Sequence, residues 1–171
     1  MDHKVRKNKV IKMIERTFVM LKPDAVQRGI AGRIISRFED AGLKIVAMKM
    51  ITISKDFSKK HYSAHVEKPF YKGLEKFITE CPVLAMVIEG LHAVEAVRKI
   101  VGPTEPKQAP PGTIRGDFAH HSYEYTDKKG IAIKNLIHAS GNKEEAKKEI
   151  ELWFSKEEIQ NYRTVHEIHV F

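Results

Sequence analysis

The residues with the clearest chemical potential are His138 and Glu149, which the sequence pattern brings close together. His138 ends a short apolar strand in the segment NLIHAS, just before an expected helix start. Glu149 lies in the apolar stripe of that helix, whose other members are Ala146, Ile150 and Trp153. A carboxylate on a core-facing stripe is costly unless something pairs with it, so we expect it to bind the imidazole. A histidine oriented by a buried acid is suited to act as a nucleophile or a proton carrier.

Further polar side chains stand where a packed domain does not need them. They end an apolar strand, border a buried helical stripe, or lie in loops and a glycine-flanked turn. The set is Lys22, Arg98, Thr104, Arg115 and Asn135. The loops GxxxxGK[ST] and GxGxxG are both absent, so an enzyme acting on phosphates would need such a cluster of cations and donors around its nucleophile. The sequence therefore predicts a phosphate site built from side chains.

Each of these residues also has a simpler interpretation when it is considered alone. Lys22 and Arg98 are compatible with surface charges on snorkelling stems. Arg115, in the turn TIRGDF, has Asp117 as a competing structural partner. The functional interpretation rests on all of these residues converging on His138.

The composition indicates one domain in a reducing compartment. The chain has 171 residues, and 30 Lys and Arg against 22 Asp and Glu give a net charge of +8. Much of the excess precedes Ile14, so we expect residues 1–14 to be a flexible basic extension and residues 15–171 to be the domain. Cys81 is the only cysteine, which excludes an intrachain disulfide and predicts a buried thiol. No window approaches the roughly 20 apolar residues of a membrane helix, and no signal peptide is recognised, so the expected location is the cytoplasm.

Hydrophobic periodicity predicts alternating strands and helices. We expect strands over 17–21, 43–53, 83–88 and 131–138, and helices over 31–41, 59–64, 69–79, 93–101 and 142–154. The proline-rich segment 102–116 is expected to be an ordered loop without regular structure, and 117–129 stays unassigned. The stretch after Gln160 is expected to be an arm that docks on a neighbour. This order is compatible with a ferredoxin-like antiparallel sheet and with a small doubly wound one.

Four segments in this order resemble the nucleoside diphosphate kinase family, and archaeal members in particular. They are ERTFVMLKPDAVQRG, HYSAHVEKPF, PGTIRGDF and NLIHAS, and the resemblance extends from about Glu15 to Glu158. It implies the fold of a ferredoxin-like α/β sandwich, with an antiparallel four-stranded sheet covered by helices. It also implies transfer of the γ-phosphoryl group between nucleotides through phospho-His138, with ping-pong kinetics and broad base specificity.

The same resemblance implies a role for each site residue. Glu149 would hold the imidazole, and Phe70 would stack on the base, although core packing beside Leu74 is an equal alternative for that ring. Contacts to phosphates or sugar would come from Lys22, Tyr62, Arg98, Thr104, Arg115 and Asn135. No side chain is expected to hold a metal; Mg²⁺ would arrive on the nucleotide phosphates. The expected partners are nucleoside di- and triphosphates and further copies of the chain in a homo-hexamer or tetramer. Membranes are not expected as partners, and nucleic acid would bind only to the basic extension at residues 1–14.

Some features depart from the family pattern. The start before Glu15 is additional, and MIERTF makes Met13 an alternative first residue. The segment 119–134 is longer than in short members and is expected to be a surface loop, so base contacts there cannot be transferred. Gly141 stands where many members have an acid, which puts a water-mediated metal contact in doubt.

The other histidines are assigned to the surface. His120, His121, His166 and His169 lack partners at zinc-site spacing. His61 lies one helical turn before His65, in a segment expected at the mouth of the nucleotide site. The alternative function is a nucleic-acid-binding or regulatory module that uses the basic surface.

Overall fold

The computed structural model describes residues 13–165 and 167–170, so residues 1–12 of the predicted basic extension, His166 and Phe171 lie outside those ranges. The predicted boundary of the extension at residue 14 is corrected, because the first strand already begins at Ile14. Its strands are β1 (Ile14–Leu21), β2 (Lys44–Ile51), β3 (Val83–Leu91) and β4 (Ile137–Ala139). They form a four-stranded sheet in the order β2-β3-β1-β4, in which every neighbouring pair is antiparallel. This topology confirms the ferredoxin-like fold and excludes the doubly wound alternative.

Helices and short 3₁₀ turns connect the strands. The helices are α1 (Pro23–Gln27), α2 (Ala31–Glu39), α3 (Lys55–His61), α4 (Tyr71–Thr79), α5 (Ala93–Val101), α6 (Ile114–Phe118), α7 (Tyr123–Lys129), α8 (Lys143–Trp153) and α9 (Glu167–Val170). The 3₁₀ turns are Ser63–His65 and Pro106–Gln108. Across the described ranges, no helix has both the length and the apolar character needed to cross a bilayer.

Strand β1 is central in the sheet, between β3 and β4, and helices cover both of its faces. Side chains alternate along a strand, so Val19 and Leu21 enter the core that includes α2 and α5. Phe18 and Met20 enter the opposite core, which includes Trp153 at the end of α8. The side chains of these four residues are fully buried. The strand therefore fixes both helical layers and carries Lys22 at its end.

The helix that carries Glu149 begins as predicted. Asn142 caps α8 by accepting a hydrogen bond from the backbone N of Glu145 at 2.8 Å. The Glu145 carboxylate returns to the backbone N of Gly141 at 2.8 Å, one residue before the cap. These bonds set the start of α8 immediately after β4.

Several predicted elements need correction. Strand β4 is limited to residues 137–139. Residues 131–136, which were predicted to belong to the same strand, run instead along the wall of a cavity. The predicted loop 102–116 contains a 3₁₀ turn and the start of α6, because Thr113 caps that helix through a bond from Gly116 N at 3.0 Å. The unassigned stretch 117–129 contains α7. Cys81 is half-buried, not buried, since it lies in the short turn between α4 and β3.

The stretch after Gln160 contacts its own domain along β2, and its predicted docking on a neighbour stays a prediction. Gln160 N donates to Val46 O at 2.7 Å, and the Tyr162 hydroxyl donates to Ile45 O, also at 2.7 Å. Lys44 pairs with Glu167 at 3.1 Å. The carbonyls of residues 45 and 46 lie on the outer edge of β2. Hydrophobic periodicity does not predict that a later segment binds this edge.

Candidate active site

One cavity of about 570 Å³ collects all the predicted site residues except Glu149, which lies behind His138. Its volume falls in the range of small-molecule sites. The predicted residues that line it are Lys22, Tyr62, Phe70, Arg98, Thr104, Arg115, Asn135 and His138. The convergence that the functional interpretation required is therefore present.

The side chain of His138 is bound by Glu149, as predicted. His138 is paired with Met20 across β1 and β4, so its ring lies on the side of the sheet that α8 covers. Its Nε2 atom lies 2.7 Å from Glu149 Oε1, and Glu149 is 13% exposed. An ionised carboxylate only accepts hydrogen bonds, so Nε2 carries the proton and Nδ1 keeps a free lone pair.

Ser140 holds the other oxygen of the same carboxylate, a role that sequence reasoning missed. Its hydroxyl donates to Glu149 Oε2 at 2.5 Å, and its side chain is fully buried. Phe18 N donates to Ser140 Oγ at 3.3 Å, which anchors the serine to β1. The available signal was its spacing of two residues from His138, because residues i and i+2 of an extended chain share a face.

The chain turns sharply just before His138. Leu136 has a φ of 70°, and Ile137 N donates to Asn135 O at 2.8 Å, which describes a γ-turn. Asp24 Oδ2 accepts from Leu136 N at 3.0 Å, and Lys22 N donates to Leu136 O at 2.8 Å. Lys22, which follows β1, and Asp24 of α1 thus stabilise a backbone conformation that is unfavourable for leucine.

Lys22 is buried beside this turn. Its Nζ donates to Asn135 Oδ1 at 2.8 Å, and Asn135 Nδ2 donates to Thr104 O at 2.8 Å. Burial lowers the pKa of Lys22 to about 8; the charge of Arg115 adds to this effect and Asp24 opposes it. This chain of bonds ties three segments that are distant in sequence to one point of the cavity.

Arg115 belongs to helix α6, not to a turn, and its side chain is 3% exposed. Its guanidinium donates to three carbonyl oxygens, those of Asn135 at 3.1 Å, Gly102 at 2.9 Å and Ile137 at 2.5 Å. Burial and the charge of Arg98 lower its pKa to about 10. The competing pair with Asp117 is absent, because that carboxylate binds Arg37 at 2.7 Å.

Tyr62 and Phe70 have different surroundings in the cavity. The Tyr62 hydroxyl is buried and has no hydrogen-bond partner within 13–165 and 167–170. Burial, with Glu149 nearby, raises its pKa above the usual value, so the hydroxyl stays protonated. Phe70 is 54% exposed, which rules out the core-packing alternative.

The segment 119–134 was expected at the surface, but part of it forms a wall of the cavity. Tyr123, Thr126 and Asp127 of α7 line it, as do residues 131–133. The backbone N of Ala132 lies 3.5 Å from an ideal Cβ position at Gly73, an ordinary van der Waals distance, so α4 packs directly against this wall. Glu145 lines the same cavity and was expected only as a capping partner.

His61 lies behind the site, although the sequence suggested its mouth. Its side chain is fully buried, and its Nδ1 is 3.8 Å from Glu149 Oε1. His61, His138 and Glu149 are the only group of three metal-ligating side chains found among the described residues. The surface assignment holds for His120, whereas His121 Nδ1 accepts from Lys134 N at 3.3 Å.

Replacing Arg115 by lysine should lower the free energy of unfolding by at least about 2 kcal/mol, because one ammonium cannot serve three buried carbonyls. Urea unfolding would measure this. Arg28→Lys is the matched control, since exposed Arg28 makes one such bond, to Phe118 O at 2.6 Å, and should change stability by under about 0.5 kcal/mol. Equal effects of the two substitutions would contradict a structural role for Arg115.

Comparison with known proteins gives one family. The family described as Nucleoside diphosphate kinase matches residues 15–159. The nucleoside diphosphate kinase of Pyrococcus abyssi is 57% identical over 148 residues, which cover 86% of this chain and 89% of the relative. That of Borreliella burgdorferi is 46% identical over 157 residues, covering 88% and 93%.

Solved structures agree. A transition-state mimic of the nucleoside-diphosphate kinase from Borrelia burgdorferi, with bound vanadate and ADP, superposes with a TM-score of 0.89 at 44% identity, covering 93% of this chain and 98% of that chain. A Halobacterium salinarum nucleoside diphosphate kinase in complex with CDP has a TM-score of 0.82 at 42% identity, covering 92% and 98%. The resemblance noted in the four sequence motifs is confirmed, and this chain belongs to the nucleoside diphosphate kinase family.

Proposed function

We propose that this protein transfers the γ-phosphoryl group of a nucleoside triphosphate to a nucleoside diphosphate, with His138 as the carrier in a ping-pong cycle. The observation that supports this most directly is the 2.7 Å contact between His138 Nε2 and Glu149. It leaves Nδ1 as the nucleophilic nitrogen in a cavity that cations surround. The family to which the chain belongs supports the same reaction.

In the first half-reaction, the lone pair of His138 Nδ1 forms a bond to the γ-phosphorus. The bond from that phosphorus to the oxygen bridging to the β-phosphate breaks, and the nucleoside diphosphate leaves with the electron pair. The ring gains positive charge as the N–P bond forms, and Glu149 stabilises that charge through Nε2–H. In the second half-reaction, a terminal oxygen of another diphosphate attacks the same phosphorus and frees the histidine.

The phosphate oxygens would be held by the charged and polar side chains of the cavity. Phosphoryl transfer depends mainly on positioning and on stabilising charge that spreads over the moving group. Lys22, Arg98 and Arg115 supply positive charge, and Tyr62 supplies a hydroxyl with no partner in the described parts of the chain. Thr104 and Asn135 would complete the contacts to phosphates or sugar.

The nucleobase would stack on the exposed ring of Phe70. A π-face accepts every base, so this contact gives affinity without discrimination and supports broad specificity. Residues 131–133 line the same cavity and would cover the base from another side.

Mg²⁺ would enter with the nucleotide and bridge its phosphate oxygens. Gly141 offers no carboxylate for the water molecules of the ion. Glu145 lines the cavity, and its Oε2 lies 2.9 Å from an ideal Cβ position at Gly141. We assign to Glu145 the contact with metal-bound water that an acid at position 141 would make.

We further propose that residues 14–171 form the catalytic domain, that it works in the cytoplasm, and that it assembles as a homo-hexamer or tetramer. Strand β2 is at the edge of the sheet and exposes Met48 by 45% and Met50 by 57%. Residues 160 and 162 bind the carbonyls of residues 46 and 45 near the start of β2, whereas Met48 and Met50 lie further along the same edge strand. An edge strand with exposed apolar side chains favours pairing with another chain.

Incubation of the protein with ATP labelled in the γ-phosphate should give an acid-labile, base-stable label, because phosphohistidine hydrolyses in acid. His138→Ala should abolish the label. His120→Ala, at an exposed histidine outside the cavity, should retain it. An unlabelled wild-type protein would exclude the proposed reaction.

ADP binding at pH 8.5 should take up protons. The free protein has a Lys22 pKa of about 8, so the side chain is mostly neutral at that pH. The negative phosphates raise this pKa and recharge it. Calorimetry in buffers of different ionisation enthalpy measures the number of protons taken up. The same measurement on Lys22→Met gives the uptake by all other groups. Uptake at pH 8.5 that is the same in both proteins would contradict a phosphate contact for Lys22.

Met50→Lys should reduce the assembly to smaller species, because it puts a charge in the proposed contact, whereas Met50→Leu should preserve the assembly. Size-exclusion chromatography with light scattering gives the mass as a multiple of the 19.6 kDa chain. A wild-type mass equal to one chain would refute the assembly. An unaltered mass for Met50→Lys would show that the contact between chains lies on another surface.

A further inference from the structure

A second histidine is buried directly beside the nucleophile. His61, the last residue of α3, has a fully buried side chain, and its ring centroid lies 4.8 Å from that of His138. The proposed reaction has no role for it. A buried titratable group this close to a reacting nitrogen affects the reaction through its charge and through the hydrogen bonds it makes.

His61 and His138 face the same carboxylate oxygen. Glu149 Oε1 lies 2.7 Å from His138 Nε2 and 3.8 Å from His61 Nδ1. A proton on His61 Nδ1 would therefore make His61 a competing donor to Glu149. It would also place a positive charge next to the ring that must attack as a neutral nucleophile.

Trp153 blocks this competition. Its indole Nε1 lies 3.2 Å from His61 Nδ1, and an indole N–H can only donate. His61 Nδ1 is therefore the acceptor, and the proton of the neutral ring is on Nε2. The indole is held in place by the ring of Phe18 at 5.0 Å and the ring of Phe57 at 4.7 Å.

We propose that Trp153 is a positioning residue for phosphoryl transfer: by fixing the tautomer of His61, it reserves Glu149 for His138. This inference rests on the proposed function of His138. Neither Trp153 nor His61 would touch the nucleotide. Their effect would pass through the orientation of the Glu149 carboxylate and the charge beside the nucleophile.

Burial and the positively charged neighbours of His61 also favour its neutral form. Burial lowers its pKa well below the usual value, and the charges of His138, Lys22 and His65 lower it further. Tyr62 packs edge-on against the ring at 4.5 Å and stays neutral. Glu149 is the group that would favour a proton on Nδ1, and the indole occupies that nitrogen.

Replacing Trp153 by phenylalanine removes the donor and keeps an aromatic ring. His61 Nδ1 can then take a proton and turn to Glu149, so its pKa rises. Autophosphorylation of Trp153→Phe should therefore approach the wild-type rate at pH 8.5. Between pH 8.5 and 6 its rate should fall roughly several-fold more than that of the wild type, because His61 takes up a proton in that range only in the variant.

Phe57→Leu is the matched control, because it loosens packing on the same indole but leaves the hydrogen bond to His61. It should lower stability without a change in the pH profile. A pH profile for Trp153→Phe that parallels the wild type, or an equal shift for Phe57→Leu, would overturn the inference. Absence of any label on the wild-type protein would instead refute the proposed function.

A measurement on the wild-type protein keeps the test valid if Trp153→Phe fails to fold. Imidazole nitrogen chemical shifts in ¹⁵N NMR should report the Nε2–H tautomer of His61, with no protonation between pH 5.5 and 8.5. The indole N–H of Trp153, the only tryptophan, should stay hydrogen-bonded over that range. Titration of His61 with an ordinary pKa would overturn the proposal without reference to activity.

Discussion

The carboxylate of Glu149 is the group on which the geometry of the site depends. It is held almost out of water by α8, and a charge there is tolerated because both oxygens are bound, one by His138 and one by Ser140. These bonds join α8 to β4, and Ser140 joins them to β1 through Phe18. The arrangement fixes which nitrogen of His138 is free, so one buried charge sets both the packing of a helix and the chemistry of a ring.

The site concentrates positive charge without a glycine-rich loop, and this has a cost in stability. Lys22 and Arg115 are buried near one another, and burial together with like charge lowers the pKa of each. Hydrogen bonds to Asn135 and to backbone carbonyls hold these side chains in place when no anion is present. A bound polyphosphate would offset the repulsion, so the cavity is organised for an anion before the anion arrives.

Local patterns predicted the elements whose apolar period is strong, such as the strand at 17–21 and the helix at 93–101. They failed where tertiary bonds override the pattern. Residues 131–136 are apolar enough for a strand, but the γ-turn at Leu136 is held by Asp24, more than a hundred residues away, so only 137–139 pair with β1. Helix α6 was missed for a different, local reason: Thr113 caps it by accepting from Gly116 N inside a proline-rich stretch, for which no regular structure was predicted.

The sequence alone identified the pairing of His138 with Glu149, because a carboxylate in an apolar helical stripe requires a nearby donor. It also predicted the cationic set, because these polar side chains stand where a packed domain does not need them. Only the tertiary structure decided that Arg115 is mainly bound to backbone, that part of 119–134 lines the cavity, and that His61 is buried beside His138 and Glu149. These facts depend on contacts between segments that are remote in the chain. The spacing of residues within one segment does not show which distant segment its side chains will contact.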